Sequence, residues 1–261
     1  MKIALLQLNP IVGDLRGNSM KIATALAQAA GADLAVTSEL ALLGYPPRDL
    51  LLNSDFIDHS WVSLRRLAAE ARDLPPVLVG LAERNPGPVG RPLFNCAALL
   101  RHGKVERTFK KTLLPTYDVF DEDRYFEPAG EAQILELGAE KLGVSICEDI
   151  WNDSDFWRRR RYHTDPVAEL ARAGAGAIIN LSASPFTVGK QEHREAMLKE
   201  LAKKHRMPFL YVNQVGGNDD LVFAGRSMAF DGEGRLAARA RGFQEDIIMV
   251  DFSQLSRGQA E

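Results

Sequence analysis

Two cysteines in 261 residues are too few to staple a small secreted scaffold, and neither stands in a Cys-x-x-Cys or Cys/His spacing that would hold structural zinc. Long apolar runs are missing as well. No stretch reaches the roughly 18 residues of a membrane-spanning helix, and the opening Met1 to Leu8 is too short, and too soon broken by Gln7 and Asn9, for a secretory leader. Charge of one sign is also lacking, because 32 Lys and Arg against 35 Asp and Glu leave a formal charge of −3, so no nucleic-acid partner is implied. Gly216-Gly217-Asn218 reads as a turn, since no strand-to-helix G-x-G-x-x-G or G-x-x-x-x-G-K phosphate loop is present. Repeats and low-complexity tracts are absent. What remains is an ordinary globular composition, 46% hydrophobic and 26% charged, and a chain of this length can bury roughly three quarters of its unfolded surface. The expectation is a cytoplasmic protein in a reducing compartment.

Read in order, the chain alternates strand and helix. Ile3 to Leu8 is a β-rich run, Asn18 to Ala30 has helical spacing, and Leu34 to Thr37 is a buried strand that stops at Ser38-Glu39. Ser54 to Ala71 is a second helix ended by Pro75-Pro76, and Val77 to Leu81 begins a strand. Phe94 to Leu100 and Lys104 to Lys110 form a hairpin around Arg101-His102-Gly103, and Gln133 to Leu137 with Lys141 to Ile146 form another. Between them Lys111 to Gly130 is a long polar and aromatic loop, a length that favours function. Further helices are expected from Asp165-Pro166 to Ala173 and from Gln191 to Lys204. Strands are expected at Ala177 to Leu181, Phe209 to Asn213, Ser227 to Phe230, Leu236 to Ala240 and Ile247 to Val250. About a dozen strands and four helices suit an α/β (α+β) fold of two packed mixed sheets with helices outside. Residues 1–255 make one domain; residues 256–261 read as a polar tail or the start of a linker.

The stretch Gly143-Val-Ser-Ile-Cys147-Glu148-Asp149-Ile-Trp151 asks for chemistry, because a β-branched run ends abruptly in a thiol and two acids. Cys147 is either a buried inert thiol or a nucleophile, and a nucleophile needs a base or a cation nearby. The five histidines are poorly placed: His59, His193 and His205 lie in expected helices, His102 in a hairpin turn, and His163 beside Arg158 to Arg161. That arginine run reads as a solvated face or an oligomer contact, and Cys96 as core packing. Glu39 and Lys111 also stand at strand ends, where they can converge with Cys147. Glu39 would take the thiol proton and pass it to a leaving amine, while Lys111 and the backbone N–H after Cys147 would hold an oxyanion. The reaction so described is acyl transfer to cysteine.

Ser38-Glu39-Leu40, Lys111-Thr-Leu-Leu-Pro115 and Ile146-Cys147-Glu148-Asp-Ile-Trp151 resemble, in type and order, the three catalytic blocks of the nitrilase (carbon–nitrogen hydrolase) superfamily. Gly44-Tyr-Pro-Pro-Arg-Asp-Leu-Leu51 and Lys111-Thr-Leu-Leu-Pro-Thr-Tyr-Asp-Val-Phe-Asp-Glu-Asp-Arg-Tyr-Phe-Glu-Pro128 are similar to the glutaminase domain of glutamine-dependent NAD synthetases. The likeness runs from Ile3 to about Leu255. It implies a four-layer αββα sandwich, L-glutamine as substrate, a γ-glutamyl thioester, ammonia as product, and no cofactor in this domain. By position it makes Cys147 the nucleophile, Glu39 the base, Lys111 the stabiliser and Glu122 the acid that orients the lysine. It also implies that Glu148, Ser184 and Lys190 hold the substrate's amino and carboxylate groups between walls of Tyr117, Phe120 and Trp151. Lys190 stands where this branch often carries Arg, and a lysine cannot fork onto a carboxylate. The Lys-x-x-Leu-Pro pattern selects Lys111 over Lys110, and neighbouring strand residues face opposite ways. No Ser-Gly-Gly-x-Asp-Ser pyrophosphate loop occurs, so the resemblance implies an NAD synthetase domain, using ATP and magnesium, in the same or another chain, together with homo-oligomerisation. A stand-alone ω-amidase or carbamoyl hydrolase and a non-hydrolytic docking module are the alternatives. The first would favour other amides over glutamine, and the second would acylate with none.

Overall fold

In strand β1 (Lys2–Gln7), Ile3 and Leu5 point one way and Ala4 and Leu6 the other, and all four are fully buried. Side chains alternate along a strand, so this one must be covered on both faces. The computed structural model, which describes residues 1–255, supplies the two covers. On one side lie helices α1 (Leu15–Gln28) and α2 (Ser54–Glu70), whose Ile22, Leu26, Ile57, Leu64 and Leu67 pack against Ala4 and Leu6. On the other lies a second sheet, against which Ile3 and Leu5 pack. Each of the leucines and isoleucines contributes roughly 1.5–3 kcal/mol on burial.

The first sheet adds β2 (Leu34–Val36), β3 (Val77–Arg84), β4 (Leu93–Arg101) and β5 (Lys104–Lys110) on one side of β1 and β14 (Asp246–Asp251) on the other. Strands β1, β2 and β3 are parallel, and the outer pairs are antiparallel. The second sheet repeats the plan, with β7 (Glu140–Ile146), β8 (Ala177–Ser182) and β9 (Phe209–Asn213) parallel at its centre. Strand β6 (Ile134–Leu137) lies antiparallel at one edge, and β12 (Met228–Phe230) and β13 (Leu236–Arg239) at the other. Helices α3 (Pro166–Arg172) and α4 (Lys190–His205) cover its outer face, where Val167, Leu170, Met197, Leu198 and Leu201 meet Ile178, Phe209 and Tyr211. The result is the expected αββα sandwich, and the C-terminal ends of its parallel strands gather where ligands bind in α/β sheets.

Three local expectations change. Helix α1 starts at Leu15, because the Asp14 carboxylate caps it by accepting from the Gly17 N–H; Asn18 lies inside it, donating to the Ile11 and Leu42 carbonyls. Gly216-Gly217-Asn218 is not a turn. It belongs to β10 (Val215–Asn218), paired with β11 (Leu221–Ala224), and the chain reverses at Asp219-Asp220. Gly216 is favoured by its backbone, at a φ of 110° that residues with a Cβ rarely adopt, and a Cβ there would also push on the Asn9 side chain. The structure has fourteen strands and four α-helices among the described residues, with β10 and β11 the two strands that the sequence pattern hides. Residues 256–261, read as a tail or linker, lie outside the described residues. No helix among those described is long and apolar enough to cross a membrane.

Candidate active site

Glu39 reaches the site because the chain leaves β2 across the backbone of β3. The crossing needs Gly80, where a Cβ would lie 2.4 Å from both Leu40 N and Ser38 O. Thr37 ties the crossing down by donating to the Leu78 carbonyl and accepting from the Gly80 N–H. Glu39 is then fully buried, its N–H donating to the Ser182 carbonyl of the second sheet and its Oε2 accepting from the Ala183 N–H at 3.1 Å.

Lys111 follows β5 directly and is likewise fully buried, while Lys110 faces away with its Nζ 3.8 Å above the Phe94 ring. The Lys111 Nζ donates to Glu39 Oε1 and Glu122 Oε2, both at 2.7 Å. Asn95 Nδ2 donates to the same two carboxylates at 2.8 and 3.4 Å, and the Tyr45 hydroxyl donates to Glu122 Oε1 at 2.9 Å. Burial alone would pull the Lys111 pKa down, but the Glu122 and Glu39 carboxylates outweigh it and hold the ammonium charged. Glu122 is pushed up to about 7 by burial and by Glu39, against the pull of Lys111. Two carboxylates sharing one cation leave the network poised to hold an extra proton near neutrality.

Cys147 sits where β7 stops, in the left-handed region at a φ of 43°, and opens a short 3₁₀ turn (Cys147–Ile150). Such backbone is costly for a residue with a Cβ and persists only where its surroundings enforce it. Asp149 enforces it here. Its Oδ2 accepts from the Ile146 N–H at 2.8 Å, and its Oδ1 accepts from the Thr112 and Leu113 N–H groups at 3.0 and 2.8 Å. One buried carboxylate therefore pins the cysteine turn to the segment that follows Lys111. Burial pushes the Cys147 thiol well up, and Glu39 adds to that, while Lys111 and the Ala183 N–H act in the opposite sense. At rest Cys147 is therefore a thiol, and it could act as a nucleophile only with a base at hand.

Above Cys147 opens a cavity of about 220 Å³ lined by Tyr117, Phe120, Glu148, Trp151, Ser184 and Lys190, together with Trp157, Arg159 and Arg161. Glu148 is held by two hydroxyls: Tyr117 donates to it at 2.8 Å and Tyr162 at 3.0 Å. Burial raises its pKa, and these donors oppose the rise. Ser184 is fixed through its backbone, its N–H donating to Asn213 Oδ1 and its carbonyl accepting from Asn213 Nδ2. Among the described residues no cluster of three or more His, Cys, Asp or Glu could hold a metal ion.

The sequence matches the carbon-nitrogen hydrolase family over residues 2–260. This chain belongs to that family. Among curated relatives, the glutamine-dependent NAD(+) synthetase of Synechocystis is 45% identical over 98% of this chain and 47% of its own length. That of Thermotoga maritima is 39% identical over 97% of this chain and 42% of its own length. The chain thus spans about half the length of the curated relatives it matches. The solved structure of glutamine-dependent NAD+ synthetase from Acinetobacter baumannii aligns with all of this chain and 48% of its own, at 33% identity and a TM-score of 0.87. A nitrilase-superfamily amidase from Nesterenkonia aligns with 96% of this chain and 90% of its own at a TM-score of 0.79; its 23% identity speaks for the fold.

In this carbon–nitrogen hydrolase all ten residues singled out in the sequence converge, Glu39, Lys111 and Glu122 beneath the cavity and the other seven lining it. The arginine run is more than a solvated face. Arg159 and Arg161 line the cavity, and Arg161 lies 4.0 Å above the Tyr117 ring. Asn95, Asp149, Tyr45 and Tyr162 are among the polar residues that sequence reasoning missed. Asn95 was detectable as an amide inside an apolar strand, and Asp149 as the second acid after the cysteine. Tyr45 and Tyr162 carry no local signal, because their hydroxyls meet Glu122 and Glu148 only through the fold.

Proposed function

We propose that this domain hydrolyses L-glutamine to glutamate and ammonia through a γ-glutamyl thioester on Cys147, and supplies the ammonia to an NAD synthetase domain. The observation that carries this reading is the buried Glu39–Lys111–Glu122 network within electrostatic reach of the Cys147 thiol, beneath a cavity that also holds Glu148, Ser184 and Lys190. Glu39 takes the thiol proton as sulfur attacks the carboxamide carbon. Lys111 and a backbone N–H at the cysteine turn hold the oxyanion, where one such donor is worth roughly 3–4 kcal/mol. Glu39 then returns the proton to the departing ammonia. It next deprotonates the water that cleaves the thioester. Glu122, Tyr45 and Asn95 keep Lys111 and Glu39 in register. Glu148 takes the substrate's ammonium group, and Ser184 and Lys190 take its carboxylate.

The synthetase domain, in the same chain or another, would be where ATP and magnesium act; a cytoplasmic, homo-oligomeric assembly is part of the same reading. The test is ammonia release from L-glutamine, with and without an ammonia-dependent NAD synthetase domain, by the native protein and by Cys147→Ala. Release should vanish in the variant, and robust release by it would sink the mechanism. Turnover of carboxylate-free amides at least about tenfold above glutamine in kcat/KM, about 1.4 kcal/mol of preference, would assign a general amidase instead.

A further inference from the structure

The N-terminal half of α4 carries a feature that the proposed chemistry does not use. Arg194 is 2% exposed, yet among the described residues its guanidinium makes no ion pair. Its Nη2 donates to the Ser184 hydroxyl at 2.8 Å and its Nη1 to Gln191 Oε1 at 3.2 Å, while its Nε has no partner. The guanidinium carbon lies 5.5 Å from the centre of the Tyr211 ring, a partial substitute for a counter-ion. Lys190 stands four residues earlier on the same helix, half-buried, with its Nζ 5.7 Å from the Trp151 ring centre. Burial lowers its pKa and Arg194 lowers it further, so the two cations feel one another. Like charges at this spacing weaken a helix, and a buried charge without a partner is costly. The pair is better understood as a site completed by an anion.

We propose that Arg194 is a positioning residue for a carboxylate subsite, and that it makes the enzyme selective for amides carrying an anionic group remote from the amide to be cleaved. The inference rests on the glutaminase reading and deepens it, because it assigns the carboxylate selectivity to a residue outside the cavity lining. The route runs through Ser184. By donating to Oγ, the guanidinium occupies that oxygen as an acceptor and leaves the serine's own O–H to donate, to an anion in the cavity in place of the neighbouring Tyr211 hydroxyl. Asn213 holds the serine backbone in place on the other side. Lys190 adds charge but no fork, and Arg194, one layer deeper, supplies the permanent positive potential that a desolvated lysine holds less securely. The same cavity presents Glu148, so it offers both signs of charge to a zwitterionic amino-acid amide.

The test has two arms. In the first, L-glutamine and 4-aminobutanamide, its analogue without the carboxylate, are compared as substrates of the native protein, Arg194→Met and Arg194→Lys. Arg194→Met should raise KM for glutamine at least tenfold, with the loss in KM and not in kcat, and Arg194→Lys should recover part of it. Equal losses on both amides would make the residue merely structural and overturn the proposal. In the second arm, alkylation of Cys147 by iodoacetamide is followed by mass spectrometry in the presence of L-norvaline or n-butylamine. Norvaline should protect native protein and fail to protect Arg194→Met, while butylamine protects neither; undiminished protection of the variant by norvaline refutes the subsite. This arm needs no turnover, so a failure to hydrolyse glutamine sinks the glutaminase reading and leaves the subsite decided on its own result. Should Arg194→Met not fold, Ser184→Ala removes the intermediary hydroxyl and should lose norvaline protection in the same way.

Discussion

Replacing Asp149 with Asn is a near-isosteric change that removes one charge and one acceptor from the joint between the cysteine turn and the segment after Lys111. The side chain is 2% exposed and accepts three backbone N–H bonds. If the amide oxygen takes the place of Oδ1, the bonds from Thr112 and Leu113 survive but weaken by roughly 1 kcal/mol each as the acceptor loses its charge. The new NH2 group then confronts the Ile146 N–H, and a buried donor left unpaired costs about 1–3 kcal/mol. Burial works the other way, since it pushes the Asp149 carboxyl up to about 7 in spite of its donors, so part of the desolvation cost is relieved by the amide. The net expectation is a loss of about 2–4 kcal/mol, which for a chain of this size lowers Tm by roughly 5–15 °C. Activity should fall further than stability alone requires. Thr112 adjoins Lys111 and Ile146 adjoins Cys147, so slack in this joint moves the two residues to which the proposed mechanism gives the attack and the oxyanion, and kcat/KM should drop at least about tenfold at temperatures where the variant is fully folded. Thermal melts by circular dichroism and ammonia release at 20 °C below the variant's Tm give the two numbers. An Asp149→Asn protein that melts within about 1 °C of native and turns over within about twofold would refute the reasoning.

Glu122→Gln should change how stability depends on pH. The folded carboxyl titrates at about 7, above its ordinary 4.5, so between those values the folded protein holds a proton that the unfolded chain has released. Stability attributable to this group therefore falls as pH rises through that window, and the glutamine variant should show a flatter urea-unfolding profile from pH 5 to pH 8. An unchanged slope would remove Glu122 as its source. Gly80→Ala should displace Glu39, because a Cβ would lie 2.4 Å from backbone atoms of Ser38 and Leu40. The expected outcome is about 1–3 kcal/mol of lost stability with at least a tenfold fall in kcat/KM, and an active, native-like alanine variant would show that the crossing has room to spare.

The three layers of the core were legible because hydrophobic periodicity distinguishes buried strands from amphipathic helices, as in Ile3 to Leu8 and Ser54 to Ala71. Short elements were less so. Strand β11 is four residues of which Val222 is half exposed, and its partner β10 carries two glycines, so neither presents a pattern. At the site, Glu39, Lys111 and Cys147 were visible as charges or a thiol at the ends of apolar runs, a local anomaly that a sequence can display. Arg194 was not. It lies in a helix rich in charged residues, and only the packing of α4 on Ser184 and Tyr211 separates it from its solvated neighbours. Tyr45 and Tyr162 stayed hidden for the same reason, because a hydroxyl has no meaning until the fold gives it an acceptor.

Glu39 and Lys111 come from the first sheet, while the Cys147 thiol and the Ala183 N–H come from the second. Neither sheet alone carries a working set. A partly folded chain with one sheet formed would hold an ordinary, sluggish cysteine, and reactivity would switch on only as the two layers close in correct alignment. Turnover is thus a gauge of interlayer alignment: a substitution deep between the sheets, at Leu181 or Val36 for instance, should register in the rate before it registers in the melting curve.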